Sequence, residues 1–84
     1  MLEPEKAFTL FPNSATHYLT VNLLFEVNGE INLRVFDSMG KIIQATKTND
    51  VSTEFNLSHY ADGMYFLQVQ TKDKIGTKKF VVKK

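Results

Sequence analysis

The stretch YLTVNLLFEV, residues 18–27, alternates apolar and polar side chains and decides the class of the fold. Its apolar positions lie two residues apart: Leu19, Val21, Leu23, Phe25 and Val27. Because successive side chains of a β-strand point to opposite faces, this spacing predicts a strand with one buried face. A helix would repeat its apolar positions roughly every 3.6 residues, and no part of the chain sustains that period.

The alternation recurs in four further runs, at residues 31–35, 51–57, 65–70 and 77–83. Turn signals separate the runs at short intervals, which is typical of antiparallel strands joined by hairpins. The expected turns are a hairpin at Asn28-Gly29, a turn at residues 37–40 capped by Asp37, one helical turn begun by Ser58, and a final hairpin at residues 73–76.

Six or seven short strands with one apolar face each are stable in water only when those faces are buried together. We therefore predict an all-β fold, a small antiparallel β-sandwich of six to seven strands. A closed barrel is the alternative, because periodicity alone does not separate the two. The lysines near the end of the chain are charges that discourage an edge strand from pairing with another chain: Lys72, Lys74, Lys78, Lys79, Lys83 and Lys84.

Composition excludes several classes of function. With 84 residues the chain suffices for one small domain, and ten Lys and Arg against nine Asp and Glu leave a net charge of +1. That charge is too small for the basic field of a non-specific nucleic-acid binder. The absence of cysteine removes disulfides, thiolate catalysis and cysteine-ligated zinc. The longest apolar run, residues 64–67, is far shorter than the ~20 residues of a membrane span.

The sequence offers no convergent set of catalytic or metal-binding groups. His17 and His59 lie in separate loop-like stretches, and neither has a partner at metal-ligand spacing. Ser14 near His17 and Ser58 beside His59 lack an orienting acid and an oxyanion hole. We therefore expect no catalytic residue, no metal and no cofactor, and we interpret both histidines as surface residues.

Aromatic residues in or next to loops leave a sugar-binding function open. The rings are Phe8, Phe11, Tyr18, Tyr60 and Tyr65. A row of exposed rings on a β-sandwich can stack on sugars, so a carbohydrate-binding or adhesion module of a secreted enzyme is the alternative function. We favour a second interpretation, in which the rings stabilise the fold instead of binding sugar. In this structural interpretation Phe8 and Phe11 pin the N-terminal segment to the core, and Tyr60 closes one end of the sandwich.

Four motifs, taken in order, resemble those of one family. Residues 11–16 read FPNSAT, residues 35–41 hold a strand, an acidic turn and Gly-Lys, residues 63–67 read GMYFL, and residues 79–84 read KFVVKK. Together they resemble the C-terminal sorting domain of the type IX (Por) secretion system, over residues 10–84. Ser14 stands where the family has a second proline, and Asp62 where a proline or alanine often precedes the glycine. The candidate sorting-signal residues are Gly40, Lys41, Gly63, Tyr65, Lys79, Val81, Lys83 and Lys84, with Pro12 and Asn13 as the N-terminal motif.

The resemblance implies a sorting signal rather than an enzyme, on a sandwich of the immunoglobulin-like type. It implies residues 1–9 as the linker from an upstream cargo such as a polysaccharide hydrolase, protease or adhesin. The implied partners are the outer-membrane translocon and a surface sortase-like protease, with no nucleic acid. The parent protein, with its own signal peptide, would pass through the periplasm and be secreted or held at the cell surface.

Three further expectations concern how such a signal would work. Gly63 would let the chain reverse tightly, and Tyr65 would pack while its hydroxyl stays near a backbone partner. The final strand with its lysines would be the exposed edge that the machinery reads. The isolated domain is expected to be a monomer, with an edge-strand dimer as the alternative.

Overall fold

The computed structural model describes residues 8–12, 14–24 and 29–84. In these residues there are eight strands and no helix. The strands are β1 (Phe8–Phe11), β2 (Ser14–Ala15), β3 (Tyr18–Leu23), β4 (Ile31–Asp37), β5 (Ile42–Thr48), β6 (Ser52–Asn56), β7 (Gly63–Gln70) and β8 (Ile75–Val82).

Two sheets make up the sandwich, a smaller one in the order β1-β3-β6 and a larger one in the order β2-β8-β7-β4-β5. The pairs are antiparallel except for β2 and β8, which run parallel over two residue pairs. The all-β antiparallel sandwich predicted from the alternation is therefore confirmed. The closed barrel is excluded, because the strands form two separate sheets.

The core lies between the sheets, where the inward side chains of both interdigitate. The predicted inward positions Leu19, Val21 and Leu23 are buried, while Phe25 and Val27 lie outside the described residues. From the larger sheet the buried side chains are Ala15, Ile31, Leu33, Val35, Tyr65, Leu67, Val69, Phe80 and Val82. The smaller sheet and its connections add Phe8, Leu10, Phe55, Leu57 and Tyr60.

The hairpin predicted at Asn28-Gly29 is wrong. The strand before it, β3, belongs to the smaller sheet, and the strand after it, β4, belongs to the larger sheet. The connection therefore crosses between sheets instead of joining paired neighbours. Gly29 does have a positive φ, 121°, whereas Asn28 lies outside the described residues.

Two other turns sit a few residues from their predicted places. The last hairpin turns at residues 71–74, where the Thr71 N–H donates to the Lys74 carbonyl at 2.8 Å and Gly76 already lies in β8. The turn near residue 58 is a single one, in which the Tyr60 N–H donates to the Leu57 carbonyl at 3.0 Å. Its side-chain cap is Asn56, whose Oδ1 accepts from the Ser58 N–H at 2.9 Å, so Ser58 does not begin it.

Both edges of the larger sheet differ from expectation. One edge is β5, which is absent from the predicted runs because its side chains are exposed or half-buried rather than alternately buried. At the other edge, β2 pairs with the last two residues of β8, Val81 and Val82, so β8 is an open edge only over its earlier part. Lys78 on that open part turns inward, with Nζ 5.4 Å from the centre of the Phe8 ring. An inward-pointing charge is a common protection of a free edge.

Candidate functional site

The family-like motifs meet at one end of the sandwich although they lie far apart in sequence. In the larger sheet Tyr65 pairs with Asp37 on one side and with Phe80 on the other, and Gly63 pairs with Val82. The turn at residues 37–41, the start of β7 and the end of β8 are therefore neighbours. We call this end of the molecule the motif end.

The opposite end, called the far end, holds the start of the described chain. There Phe8, the first residue of β1, pairs with Leu23, and in the larger sheet Gln70 pairs with Ile75. Phe8 and Thr9 belong to β1, and the Phe8 side chain is only 1% exposed. The first two strand residues are thus part of the packed domain, while residues 1–7 lie outside the described chain.

The turn at residues 37–41 is held by the Asp37 carboxylate together with backbone hydrogen bonds, among them the one from the Asp37 N–H to the Lys41 carbonyl at 2.9 Å. Asp37 Oδ1 accepts from the backbone N–H groups of Met39 and Lys41, each at 2.9 Å. The Gly40 N–H donates to the Asp37 carbonyl at 3.0 Å, and Gly40 has a φ of 86°, a region that L side chains rarely adopt. The predicted Asp37 cap is confirmed. It presents Met39 at the tip and leaves Lys41 exposed.

Gly63 begins β7 with a φ of 154°, and a Cβ placed on it would meet nothing within 4 Å. Glycine is favoured there by the backbone conformation and not by lack of space. Two residues on, Tyr65 is buried, and its hydroxyl donates to the Ala61 carbonyl at 2.6 Å. The expectation of a packed ring with a backbone partner is confirmed. The ring stacks on Phe80, with centroids 5.6 Å apart.

Tyr60 closes the motif end of the core, as the structural interpretation expected. Its ring meets Tyr65 edge to face at 5.2 Å between centroids, and its hydroxyl donates to Gln44 Oε1 at 2.8 Å. Burial raises the pKa of the Tyr60 phenol above its usual range, and the neighbouring Tyr65 raises it further. The phenol therefore stays neutral, as a hydrogen-bond donor must.

The last two residues are tied to three separate segments. The Lys83 N–H donates to the Ala15 carbonyl at 2.9 Å, and the Thr16 hydroxyl donates to the Lys83 carbonyl at 3.0 Å. The Lys84 N–H donates to Asp62 Oδ1 at 3.2 Å, and Lys84 Nζ donates to the Ser58 carbonyl at 3.0 Å. We call these four bonds the terminal clamp, because they hold residues 83–84 in one position.

The other predicted site residues lie near the clamp but not in it. Pro12 is exposed and follows β1 through a cis peptide bond after Phe11, and Asn13 lies outside the described residues. Val81 and Lys79 point to the outer face of the larger sheet, away from the core. The motif end therefore gathers Pro12, Gly40, Lys41, Gly63, Tyr65, Val81, Lys83 and Lys84, whereas Lys79 lies one step further along β8.

Sequence reasoning missed the partners of the terminal clamp. In the sequence Asp62 is only a departure from the family pattern, yet it accepts a bond from the Lys84 backbone. Thr16 belongs to the first motif with no role assigned to it, yet it binds the extension of the last strand. Periodicity could not reveal either role, because the Asp62 bond joins positions 22 residues apart and the Thr16 bond joins positions 67 residues apart.

Three of the five aromatic rings considered for sugar stacking are in the core: Phe8, Tyr60 and Tyr65. Phe11 and Tyr18 remain about half exposed, at 49% and 51%, on the outer side of the smaller sheet. The expectation that Phe11 packs into the core is therefore wrong. In the part of the chain that the structure describes, no three His, Asp or Glu residues are grouped as metal ligands would be. No helix long and apolar enough to cross a membrane occurs there either.

Comparison with known proteins agrees with these motifs. The family model described as secretion system C-terminal sorting domain matches residues 9–83. No curated protein matches the chain in sequence.

Two solved structures are similar in fold. One is PorZ, described as an essential bacterial surface component of the type-IX secretion system of Porphyromonas gingivalis; it is 17% identical with a TM-score of 0.75. The match covers 92% of this chain and 11% of the PorZ chain, so the chain spans about a tenth of that protein's length. The other is a DUF3244 family protein from Bacteroides vulgatus with an immunoglobulin-like β-sandwich fold, 14% identical with a TM-score of 0.73. That match covers 89% of this chain and 83% of the other. The immunoglobulin-like type of sandwich is thereby confirmed.

Proposed function

Because the chain belongs to the family of secretion system C-terminal sorting domains, which serve type IX secretion, we propose that it directs a larger exported protein to the cell surface. The cargo is a protein attached through residues 1–7, leading into β1. On this proposal the domain is itself not an enzyme and needs no cofactor.

One observation supports this function best: the motif residues converge at the end of the sandwich opposite the start of β1. Cargo joined ahead of Phe8 would leave from the far end, since Phe8 pairs with Leu23 there. The motif end would then stay free for the secretion machinery while the cargo trails behind it. We assign recognition to Gly40, Lys41, Gly63, Tyr65, Lys79, Val81, Lys83 and Lys84, with Pro12 and Asn13 beside them.

These residues divide into two roles. Gly63 and Tyr65 set the shape of the motif end, because one has a positive φ at the start of β7 and the other is buried against Phe80. Lys41 and Lys83 are exposed and offer charge to a partner. Such a division suits a signal that must fold before it is read, since the partner then meets a preorganised surface.

The partners follow from the family. We propose that the outer-membrane translocon binds the motif end in the periplasm, and that a surface protease of sortase-like action cuts the chain ahead of β1, within the linker of residues 1–7. The cargo would then be released or attached at the cell surface. The signal peptide for inner-membrane passage would belong to the parent protein.

The test is a fusion of this chain behind a signal peptide and a fluorescent protein, expressed in a host with type IX machinery. Deleting residues 80–84 would be a poor variant, because Phe80 and Val82 are core residues and the domain would unfold. Deleting residues 83–84 removes the terminal clamp while keeping both. A matched control is Lys72→Ala with Asp73→Ala in the far-end turn. Circular dichroism would check that both variants fold.

We expect the intact fusion and the far-end control to reach the surface or medium, and the fusion lacking residues 83–84 to remain in the periplasm. An intact fusion that stays folded in the periplasm contradicts the proposed function. In that case titration with soluble glycans, followed at Phe11 and Tyr18, tests the sugar-binding alternative.

A further inference from the structure

The outer face of the larger sheet is divided into two halves of different chemistry. Near the far end, Arg34 lies opposite Gln68, and its Nη1 donates to Gln68 Oε1 at 3.2 Å and to Gln70 Oε1 at 2.7 Å. This half is mostly polar, and Ile75 is an isolated apolar exception that is 50% exposed. The motif half of the same face has a different surface.

Across the motif half, five apolar side chains adjoin one another by register. Met64 pairs with Val81, and Phe36 pairs with both Phe66 and Ile42. We call these five residues the outer apolar patch. Met64 is 42% exposed, Val81 37% and Ile42 52%. Ile42 lies where the register between β4 and β5 shifts. Contiguous apolar side chains on a sheet face mark a site of interaction more often than isolated ones do.

Lysines surround the outer apolar patch. Lys79 pairs with Phe66, Lys41 directly precedes Ile42, and Lys83 follows Val81 by two residues; all three are exposed. Across the described residues none of the three belongs to an ion pair, whereas Lys47 in the far half lies 3.9 Å from Glu30. The carboxylates at the motif end, Asp37 and Asp62, accept backbone N–H groups of their own chain.

We propose that the outer apolar patch is the docking surface for a protein with an apolar centre and an acidic rim. This rests on the proposed function and names the chemistry of the partner that reads the motif end. Lys41, Lys79 and Lys83 around the patch favour an acidic partner, because opposite charges steer association and like charges oppose it. A second copy of this chain in a symmetric pair would bring the same lysines to the same interface, which disfavours self-association.

Photo-crosslinking in the host with type IX machinery tests the surface directly. A benzophenone amino acid replaces Met64 in the reporter fusion, and the matched control replaces Ile75. Ile75, in β8, also faces outward, is 50% exposed, and lies at the far end. We expect a protein crosslink from position 64 that is absent from position 75, is lost with Lys79→Glu, and is kept with Lys79→Arg. Crosslinks to lipid or to a second copy of the chain, equal crosslinking from both positions, or a crosslink indifferent to Lys79→Glu would overturn the proposal.

Export of substituted fusions distinguishes a failure of this docking surface from a failure of the proposed sorting function. Met64→Ser with Val81→Ser should lower the ratio of surface to periplasmic reporter about tenfold or more, as expected when central interface contacts are lost. Ile75→Ser should leave the ratio unchanged. If the intact fusion is exported and the double variant is exported equally well, the docking surface is wrong while the sorting function stands. If the intact fusion is not exported, both fail.

Discussion

The motif end and the far end are built from the same strands, but their outer faces differ in chemistry. Inside the sandwich the two are similar, since β4 and β7 bury alternate side chains along their length, while β8 buries them only near the motif end. On the outer face the far half pairs Arg34 with two glutamines, whereas the motif half exposes apolar side chains among lysines. The fold requires only the inward pattern. The inward pattern does not account for the difference outside, and this difference supports our proposal that recognition lies at the motif end.

Truncating the aromatic anchor of the motif end should cost the most stability. Tyr65→Ala removes a buried ring that stacks on Phe80, and we expect it to lower the free energy of unfolding by about 3–5 kcal/mol. Urea denaturation followed by circular dichroism measures the loss. Tyr65→Phe keeps the ring and loses only the bond to Ala61, so it should cost about 1 kcal/mol. Equal losses for the two variants would show that the ring does not anchor this end.

Two glycines with similar backbones sharpen the comparison between the ends. Gly63 and Gly29 both have positive φ, 154° and 121°, and open space where an alanine Cβ would lie, so alanine at either meets backbone strain on the order of 1–2 kcal/mol. Thermal unfolding should show similar destabilisation in both variants. Export of the reporter fusion should fall only for Gly63→Ala. A parallel fall for Gly29→Ala would mean that export depends on stability alone.

The capped turns provide a smaller contrast. Asp37→Ala leaves two backbone N–H groups at the motif end without their acceptor, and we expect a loss of about 1–2 kcal/mol. Thr48→Val at the far end removes one such acceptor, the bond from the Asp50 N–H at 3.1 Å, and should cost about half as much. Urea unfolding of both variants checks the ratio. A larger loss from Thr48→Val would contradict the importance given to the Asp37 cap.

The smallest effect concerns pH. Burial raises the pKa of Tyr60 in the folded state, so its contribution to stability is complete below the usual tyrosine pKa of about 10 and is lost as pH rises through the folded-state value. Unfolding free energy should therefore fall with rising pH in the alkaline range. Tyr60→Phe should flatten that decline and cost about 1 kcal/mol at neutral pH through the lost bond to Gln44. An unchanged alkaline slope would show that another group is responsible.

The sequence predicts the inward pattern well because alternation is a local property. Leu19, Val21 and Leu33 are buried as their spacing requires. The sequence predicts poorly which strands pair with one another, because pairing depends on contacts between positions that are distant in the chain. The Asn28-Gly29 signal suggested that β3 and β4 are neighbours, but they belong to different sheets.

The candidate site shows the same difference between local features, which the sequence predicts, and contacts between distant positions, which it does not. The Asp37 cap and the Tyr65 hydroxyl bond span four residues each, and both follow from local chemistry and the family motifs. The terminal clamp joins residues 83–84 to Ala15, Thr16, Ser58 and Asp62, so only the assembled fold brings it together. The edge strand β5 was not predicted because none of its side chains is fully buried, so its sequence lacks the alternation of apolar and polar residues that identifies a strand.

A matched pair of charge reversals tests most directly whether one end carries recognition. Lys41→Glu with Lys83→Glu alters the motif end, and Lys47→Glu with Lys72→Glu makes the same change in net charge at the far end. All four side chains are exposed, so each pair should change stability by only about 1 kcal/mol. Measured as the ratio of surface to periplasmic reporter, export should fall sharply for the motif-end pair and stay near that of the intact chain for the far-end pair. Equal export of the two variants, whether high or low, would contradict the account.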